Sequence, residues 1–312
     1  MWGENSSARN PAISVPYNVI MPKGYAAISD KIYNFDVRPD DVWVITYPKC
    51  GTTWTQEIMW HIMNDVNKEM GKMPLFARSP FLEYEGLAGK GMVTKMMKVD
   101  AKQDDHTGQF SDNSVDRAAN MPSPRIIKSH MPFEFLPPNL IDKAKVIYVC
   151  RNPKDCCVSY YHHMNDTLSQ MYEYNGTFDQ FVELFMQGKL EYGSYFEHLR
   201  SAWKYRNHPN MKFVWYEDMK KDTIKEVTEM AKFVNHSLLG EKIAELVEHL
   251  KFDNMKERAT ALMGGNNNIM TKFFRKGAVG DWKNYFEGDK LTLWDEWIAK
   301  NLKGSDFKFR FE

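Results

Sequence analysis

Cysteine is scarce in this sequence. There are four, Cys50, Cys150, Cys156 and Cys157, with no C-x-x-C pair and no disulfide or zinc spacing. A reducing compartment, the cytoplasm, is the expected setting. Net charge is lacking too, at +0, which argues against bulk nucleic-acid binding because that needs a basic surface. No apolar run reaches the ~18 residues of a membrane span. The first thirty residues hold polar residues and scattered prolines but no apolar h-region, so no signal peptide is expected. Internal repeats and a clear linker are missing as well.

Aromatic and apolar residues are plentiful. Aromatics make up 14% and the apolar set 43%, enough for a large core and against global disorder. The chain is organised around Val42-Trp43-Val44-Ile45-Thr46-Tyr47-Pro48-Lys49-Cys50-Gly51-Thr52-Thr53-Trp54. Its start reads as a buried strand. Pro48 ends the strand, Gly51 lets the backbone turn tightly, and Thr52 and Thr53 can cap a helix over residues 53–67. A strand, a loop and a helix N-terminus make an anion site, and phosphate is the usual anion. A Walker A loop is absent, because Lys49 precedes the only loop glycine. An ordinary β-α turn with a surface lysine is the plain alternative.

Three more strands follow: 125–128, ending at Ser129-His130-Met131-Pro132; 145–150, ending at Arg151-Asn152-Pro153-Lys154-Asp155; and 212–216, ending at Glu217-Asp218. Helices are expected at 156–164, 178–187, 193–205, 225–234, 239–250 and 291–302. Strand and helix alternate, so the predicted fold is α/β. It is a single domain with a central, mostly parallel sheet flanked by helices and a P-loop-like phosphate loop. Residues 1–30 read as an irregular arm and 86–124 as a lid segment. His162 and His163 are adjacent on a helix and read as structural.

Polar residues at strand carboxyl ends mark the ligand edge of an open α/β sheet. Lys49 with its loop, Arg151 with Ser159, and Arg275-Lys276-Gly277 could together hold a nucleotide phosphorylated at two positions. The strand ending in Arg151 offers no aspartate for magnesium, so no metal is expected there. A metal-dependent P-loop kinase and a non-catalytic nucleotide or lipophile carrier remain rival readings.

Over nearly all of residues 30–302 the sequence resembles the cytosolic sulfotransferases. The motifs are Tyr47-Pro48-Lys49-x-Gly51-Thr52-Thr53-Trp54, Lys128-Ser129-His130-Met131-Pro132, Arg151-Asn152-Pro153-Lys154-Asp155 with Ser159, Tyr216-Glu217-Asp218-Met219, and Arg275-Lys276-Gly277-x-x-Gly280-Asp281-Trp282-Lys283-Asn284. The opening stretch and the long segment before His130 are similar to insect members, including the retinol dehydratase type. The resemblance implies 3′-phosphoadenosine 5′-phosphosulfate (PAPS) as donor, with adenosine 3′,5′-bisphosphate (PAP) as product.

By motif match, the loop Lys49–Trp54, Cys50 included, would cradle the 5′-phosphosulfate. Arg151, Ser159, Arg275, Lys276 and Gly277 would hold the 3′-phosphate. Trp54 and Phe252 would sandwich the adenine with Tyr216 at its edge. His130 would be the general base, Lys49 would stabilise the leaving phosphate, and Lys128 would hold sulfuryl oxygens. Phe81, Met92, Met96, Phe133, Tyr160 and Met263 would line a pocket for a small lipophilic, hydroxyl-bearing acceptor. Cys50 stands where the family usually has serine. At a helix N-terminus its thiol is expected to have a lowered pKa and to be oxidisable. Leu250 replaces a small hydroxyl residue near the adenine. Glu287, Gly288 and Thr292 depart from the family's dimer motif, so the oligomeric state stays open.

Overall fold

The computed structural model describes residues 12–14, 19–21, 23–88, 113–167, 174–262 and 272–311 of the 312. Two short strands, β1 (Ala12–Ser14) and β2 (Val19–Met21), pair antiparallel. The central sheet holds β3 (Val42–Thr46), β4 (Ile126–Ser129), β5 (Lys145–Cys150) and β6 (Met211–Trp215). They lie in the order β4-β3-β5-β6, and every pairing is parallel. Val42 faces Ile126 on one side and Lys145 on the other. The chain therefore leaves β3 for one neighbour and returns to the other. The carboxyl end of β3 is thus a topological switch point, where such sheets bind ligands.

β3 is buried along its whole length, which is why its sequence is a continuous apolar run. The pleat sends alternate side chains to opposite layers. Trp43, Ile45, Ile127, Val146 and Tyr148 join one core, and Val42, Val44, Ile126, Ile147, Val149 and Val214 the other. The longer helices are α1 (Thr52–Met63), α2 (Pro153–His162), α3 (Phe178–Met186), α4 (Tyr195–Trp203), α5 (Thr223–Phe233), α6 (Gly240–His249), α7 (Phe252–Leu262) and α8 (Gly288–Leu302). Ile58 and Ile62 of α1, Val227 and Met230 of α5 and Leu246 of α6 fill one layer. Val158 of α2, Phe181 and Phe185 of α3, Leu199 of α4 and Trp294 of α8 fill the other. Thr177 and Gln180 form a capping box at the start of α3, worth about 1 kcal/mol.

Some boundaries differ from expectation, each for a local reason. Gly51, not a threonine, is the N-cap of α1, in the left-handed region at φ 100°. Thr52 Oγ1 instead meets Thr46 Oγ1 at 2.6 Å. α1 stops at Met63 rather than residue 67, because Asp65 and Val66 turn to positive φ. Part of the arm lies within the described residues, and there it has regular structure. β1 and β2 pair, Ser29–Tyr33 is helical, and Met21, Tyr25 and Ile28 are buried in the core. Of the segment 86–124, residues 89–112 lie outside the described residues. Its end is the helix Ser114–Asn120, anchored where Ser114 Oγ donates to Leu82 O and accepts from Glu85 N.

Candidate active site

The loop after β3 bends sharply. Lys49 and Gly51 both sit at positive φ, 66° and 100°, and for a lysine this is a strained conformation of the kind found at functional sites. The N-terminus of α1 opens beside it, with free N–H groups and a positive dipole end. Arg151, at the end of β5, ties three loops together. It donates to Lys49 O and to Ala278 O, both at 3.0 Å, while its guanidinium lies 4.4 Å from the Tyr216 ring centroid. Asp155 fastens the same junction, accepting from the N–H groups of Gly280 and Trp282 at 2.7 and 2.9 Å.

A cavity of about 360 Å³ opens over these loops. One wall is cationic and aromatic. Trp54 and Tyr216 meet edge to face at 5.8 Å, and Phe252 lies across from Gly277. A Cβ on Gly277 would come within 2.2 Å of the Phe252 ring, and one on Gly51 within 2.7 Å of Tyr216. Both glycines also hold positive φ. Glycine is required at both because the backbone lies directly against the rings. Arg275 and Lys276 each reach Asp281 at 2.6 Å. Burial would raise the Asp281 carboxyl, but hydrogen bonds from Lys276, Arg275 and Asn284 override it and hold the group at about 2.

The other wall holds His130. Its Nδ1 lies 2.8 Å from Thr46 O, and a carbonyl can only accept, so Nδ1 carries the hydrogen. Nε2 therefore carries the lone pair. Burial, with the charge of Lys128, holds the imidazole well below its ordinary value, so it is neutral at working pH. The ring is flanked by Phe81 at 5.3 Å and Tyr192 at 5.5 Å. Its main chain is fixed at both ends. His130 N donates to buried Glu83 at 2.6 Å, and His130 O accepts from His198 Nε2 at 2.9 Å. Having donated there, His198 uses Nδ1 to accept from Tyr148 OH at 2.8 Å.

Two lysines complete this wall. Lys49 Nζ lies 4.0 Å from the Phe273 centroid, and Lys128 Nζ 3.7 Å from that of Phe81. Burial, reinforced by Lys128 and Arg151, pulls Lys49 down to about 7. Burial also lowers Lys128, while the nearby Glu83 carboxylate opposes that shift. The segment carrying Phe81 runs beside β4, with Leu82 N donating to Lys128 O and Lys128 N to Pro80 O, both at 2.9 Å. A second cavity of about 590 Å³ adjoins the first, with Thr53, Phe81 and Lys128 among the residues common to both linings.

Lys49, Gly51, Thr52, Thr53, Trp54, Phe81, Lys128, His130, Arg151, Ser159, Tyr160, Tyr216, Phe252, Arg275, Lys276 and Gly277 all line the first cavity, so the residues named from sequence converge. Leu250 lines it as well. Two of the named residues do not. Phe133 is absent from the lining of both cavities; its N–H donates to Ser201 Oγ and its ring packs on Tyr205 at 5.1 Å. Cys50 is wholly buried with its sulfur 3.7 Å from that of Cys156, and burial pushes its thiol up, opposite to the lowered value expected at a helix N-terminus. Met92, Met96 and Met263 lie outside the described residues.

Three residues escaped the sequence reading of the site. His163 lines the cavity with a buried Nδ1 that has no partner among the described residues, in contrast to its structural reading. The helix widens to a π turn over His163–Thr167, which separates it from His162. Glu83 could have been flagged as a lone acid in an aromatic run. His198 gave no signal, because its partners come from β5 and the end of β4.

The geometry invites comparison with known proteins. The sulfotransferase domain family matches residues 39–306. Rat sulfotransferase 1A1 is 34% identical over 98% of this chain and 99% of its own length. Human sulfotransferase 1E1 is 34% identical, covering 95% of each. A solved structure of retinol dehydratase in a complex with retinol and PAP superposes with a TM-score of 0.80 at 30% identity, covering 95% of this chain and 90% of that one. The chain belongs to the sulfotransferase family.

Proposed function

We propose that this enzyme moves the sulfuryl group of PAPS to the hydroxyl of a small lipophilic acceptor: a phenol, a steroid or another alcohol. The observation that carries the reading is His130. It is a neutral imidazole with its tautomer fixed by Thr46 O, set in one cavity with two half-buried lysines and an aromatic, glycine-lined cleft. Gly51 and Gly277 let the Tyr216 and Phe252 rings lie against the loops, these rings and Trp54 offer flat faces to a base, and Arg151, Ser159, Arg275 and Lys276 suit the 3′-phosphate. The loop Lys49–Trp54 suits the 5′ end through its helix N-terminus, with the Cys50 side chain turned into the core.

When bound, the donor supplies the sulfuryl group and a phosphate leaving group. His130 Nε2 takes the acceptor's hydroxyl proton as the oxygen attacks sulfur. The bond between sulfur and the 5′-phosphate oxygen breaks, and Lys49 stabilises the charge that gathers there. Lys128 neutralises the sulfuryl oxygens. Phe81 and Tyr160 hold the acceptor's apolar body. Retinol and androsterone each occupy a structurally similar protein, which supports a lipophilic alcohol as the acceptor. That likeness also favours a second outcome, sulfation of an allylic alcohol followed by loss of sulfate. Incubation with sulfur-labelled PAPS and a panel of phenols, steroids and retinoids should transfer label or yield a dehydrated product. Mass analysis separates the two, and neither product from any acceptor would refute the reading.

The pH profile tests the lysine's role. Lys49 is lowered, so free enzyme loses this cation as pH rises through about 7. Donor kcat/KM should therefore fall above that pH, while kcat holds to higher pH because the bound phosphate restores the charge. A donor kcat/KM that stays level across this range would remove Lys49 from the leaving-group role.

A further inference from the structure

At the edge of the second cavity, which Glu57 lines, α1 and α6 meet at three side chains that sulfuryl transfer does not use. Glu57 and His61 stand one turn apart on α1, and His249 is the last residue of α6. His61 is completely buried, and neither of its ring nitrogens has a hydrogen-bond partner among the described residues. His249 Nε2 is buried and unpartnered too. A buried imidazole left this way forfeits the hydrogen bonds it would make in water, so a buried ring with both nitrogens unpaired calls for an explanation. The unsatisfied nitrogens also cluster. The two rings meet at 4.5 Å, Glu57 Oε2 lies 3.7 Å from His61 Nε2, and one donor atom from each residue falls within 4.8 Å of the others.

We propose that Glu57, His61 and His249 form a binding site for a zinc-type divalent transition metal. Two imidazoles and a carboxylate are a common zinc donor set. A tetrahedral ion would draw the donor atoms to roughly 3.4 Å of one another, given metal–nitrogen bonds of about 2.0–2.1 Å. Small side-chain rotations cover the difference. His249 is only half-buried, so water can supply the fourth ligand. The surroundings already orient the ligands. Arg78 Nη2 holds both Glu57 oxygens at 2.7 and 2.8 Å, and lone pairs remain for a metal. Trp60 packs on the His61 ring at 5.0 Å, and Gly71 presses so close that a Cβ there would sit 2.7 Å from His61 Cε1. Arg78, Arg258 and Lys68 place positive charge around the cluster, which weakens cation binding there.

The site would tie together two walls of the nucleotide cleft. α1 starts at the phosphate loop and carries Trp54, while α6 runs through Leu250 into Phe252. Calorimetric titration of chelator-treated enzyme with Zn²⁺ should show one ion bound per chain. His249→Gln and His61→Gln should each weaken binding by at least about tenfold, since lost ligands and their supports carry this scale of effect. His236→Gln, at a surface histidine paired with Asp65, should not. PAP binding by His249→Gln checks that this variant is folded. Co²⁺ added to the native enzyme should give the visible bands of a tetrahedral complex, a readout that needs no variant. Absence of those bands, or unchanged zinc affinity in folded His249→Gln, would overturn the assignment.

Discussion

Replacing His130 with alanine is expected to lower kcat by about 10²–10⁴-fold, the range for losing a general base. PAP affinity should stay within about a factor of three, because the base touches the acceptor's proton and not the nucleotide. The structure gives the reasons. Nδ1 donates to Thr46 O, so the lone pair is on Nε2. Burial keeps the ring neutral, so no proton must leave before it can act. Glu83 and His198 hold the residue through its backbone N–H and C=O, and an alanine keeps both contacts. The variant should therefore still fold, with some loss of stability from the missing Thr46 O bond. Near-normal turnover would remove His130 from the base role. Loss of PAP binding along with turnover would mean that the ring is a structural support.

Gly277→Val should act on the opposite side of the reaction. A Cβ at residue 277 would lie 2.2 Å from Phe252, and the φ of 60° is one that a β-branched residue adopts only with strain. The phenyl ring must move into the cleft or the loop must shift. Base stacking is worth about 1–3 kcal/mol, so the donor KM should rise by roughly 10- to 100-fold. Turnover at saturating donor should change much less, since His130 and Lys128 lie on the other wall. Measuring both constants separates the two. An unchanged donor KM would mean that Phe252 does not pack on the base.

Much of this was legible in the chain. β3 and β5 are buried on both faces, so their sequences are apolar over all but an end residue, and the strands could be read to within a residue. His130 and Arg151 follow directly on strands and Lys49 lies in the loop just after one, and a parallel sheet brings all its carboxyl ends to one edge. Their convergence was implied by sequence order alone. Phe133 lies outside both cavities. The 3₁₀ turn Phe133–Phe135 instead directs it to Tyr205. Cys50 was misread because the dipole argument assumes a thiol at the helix mouth, whereas this one points into the core beside Cys156.

The parallel α/β frame, the phosphate loop and the strand-end cations could be read from the sequence, because apolar runs and strand-end residues show in local pattern and parallel pairing then gathers the strand ends at one edge. Tertiary structure alone decided the tautomer of His130, the pull on Lys49 and the clustering of Glu57 with His61 and His249. Those depend on which backbone carbonyl, which charge and which helix end arrive from elsewhere in the chain. Hydrogen bonds and desolvation act over a few ångströms of space, and distance along the chain carries no record of that separation.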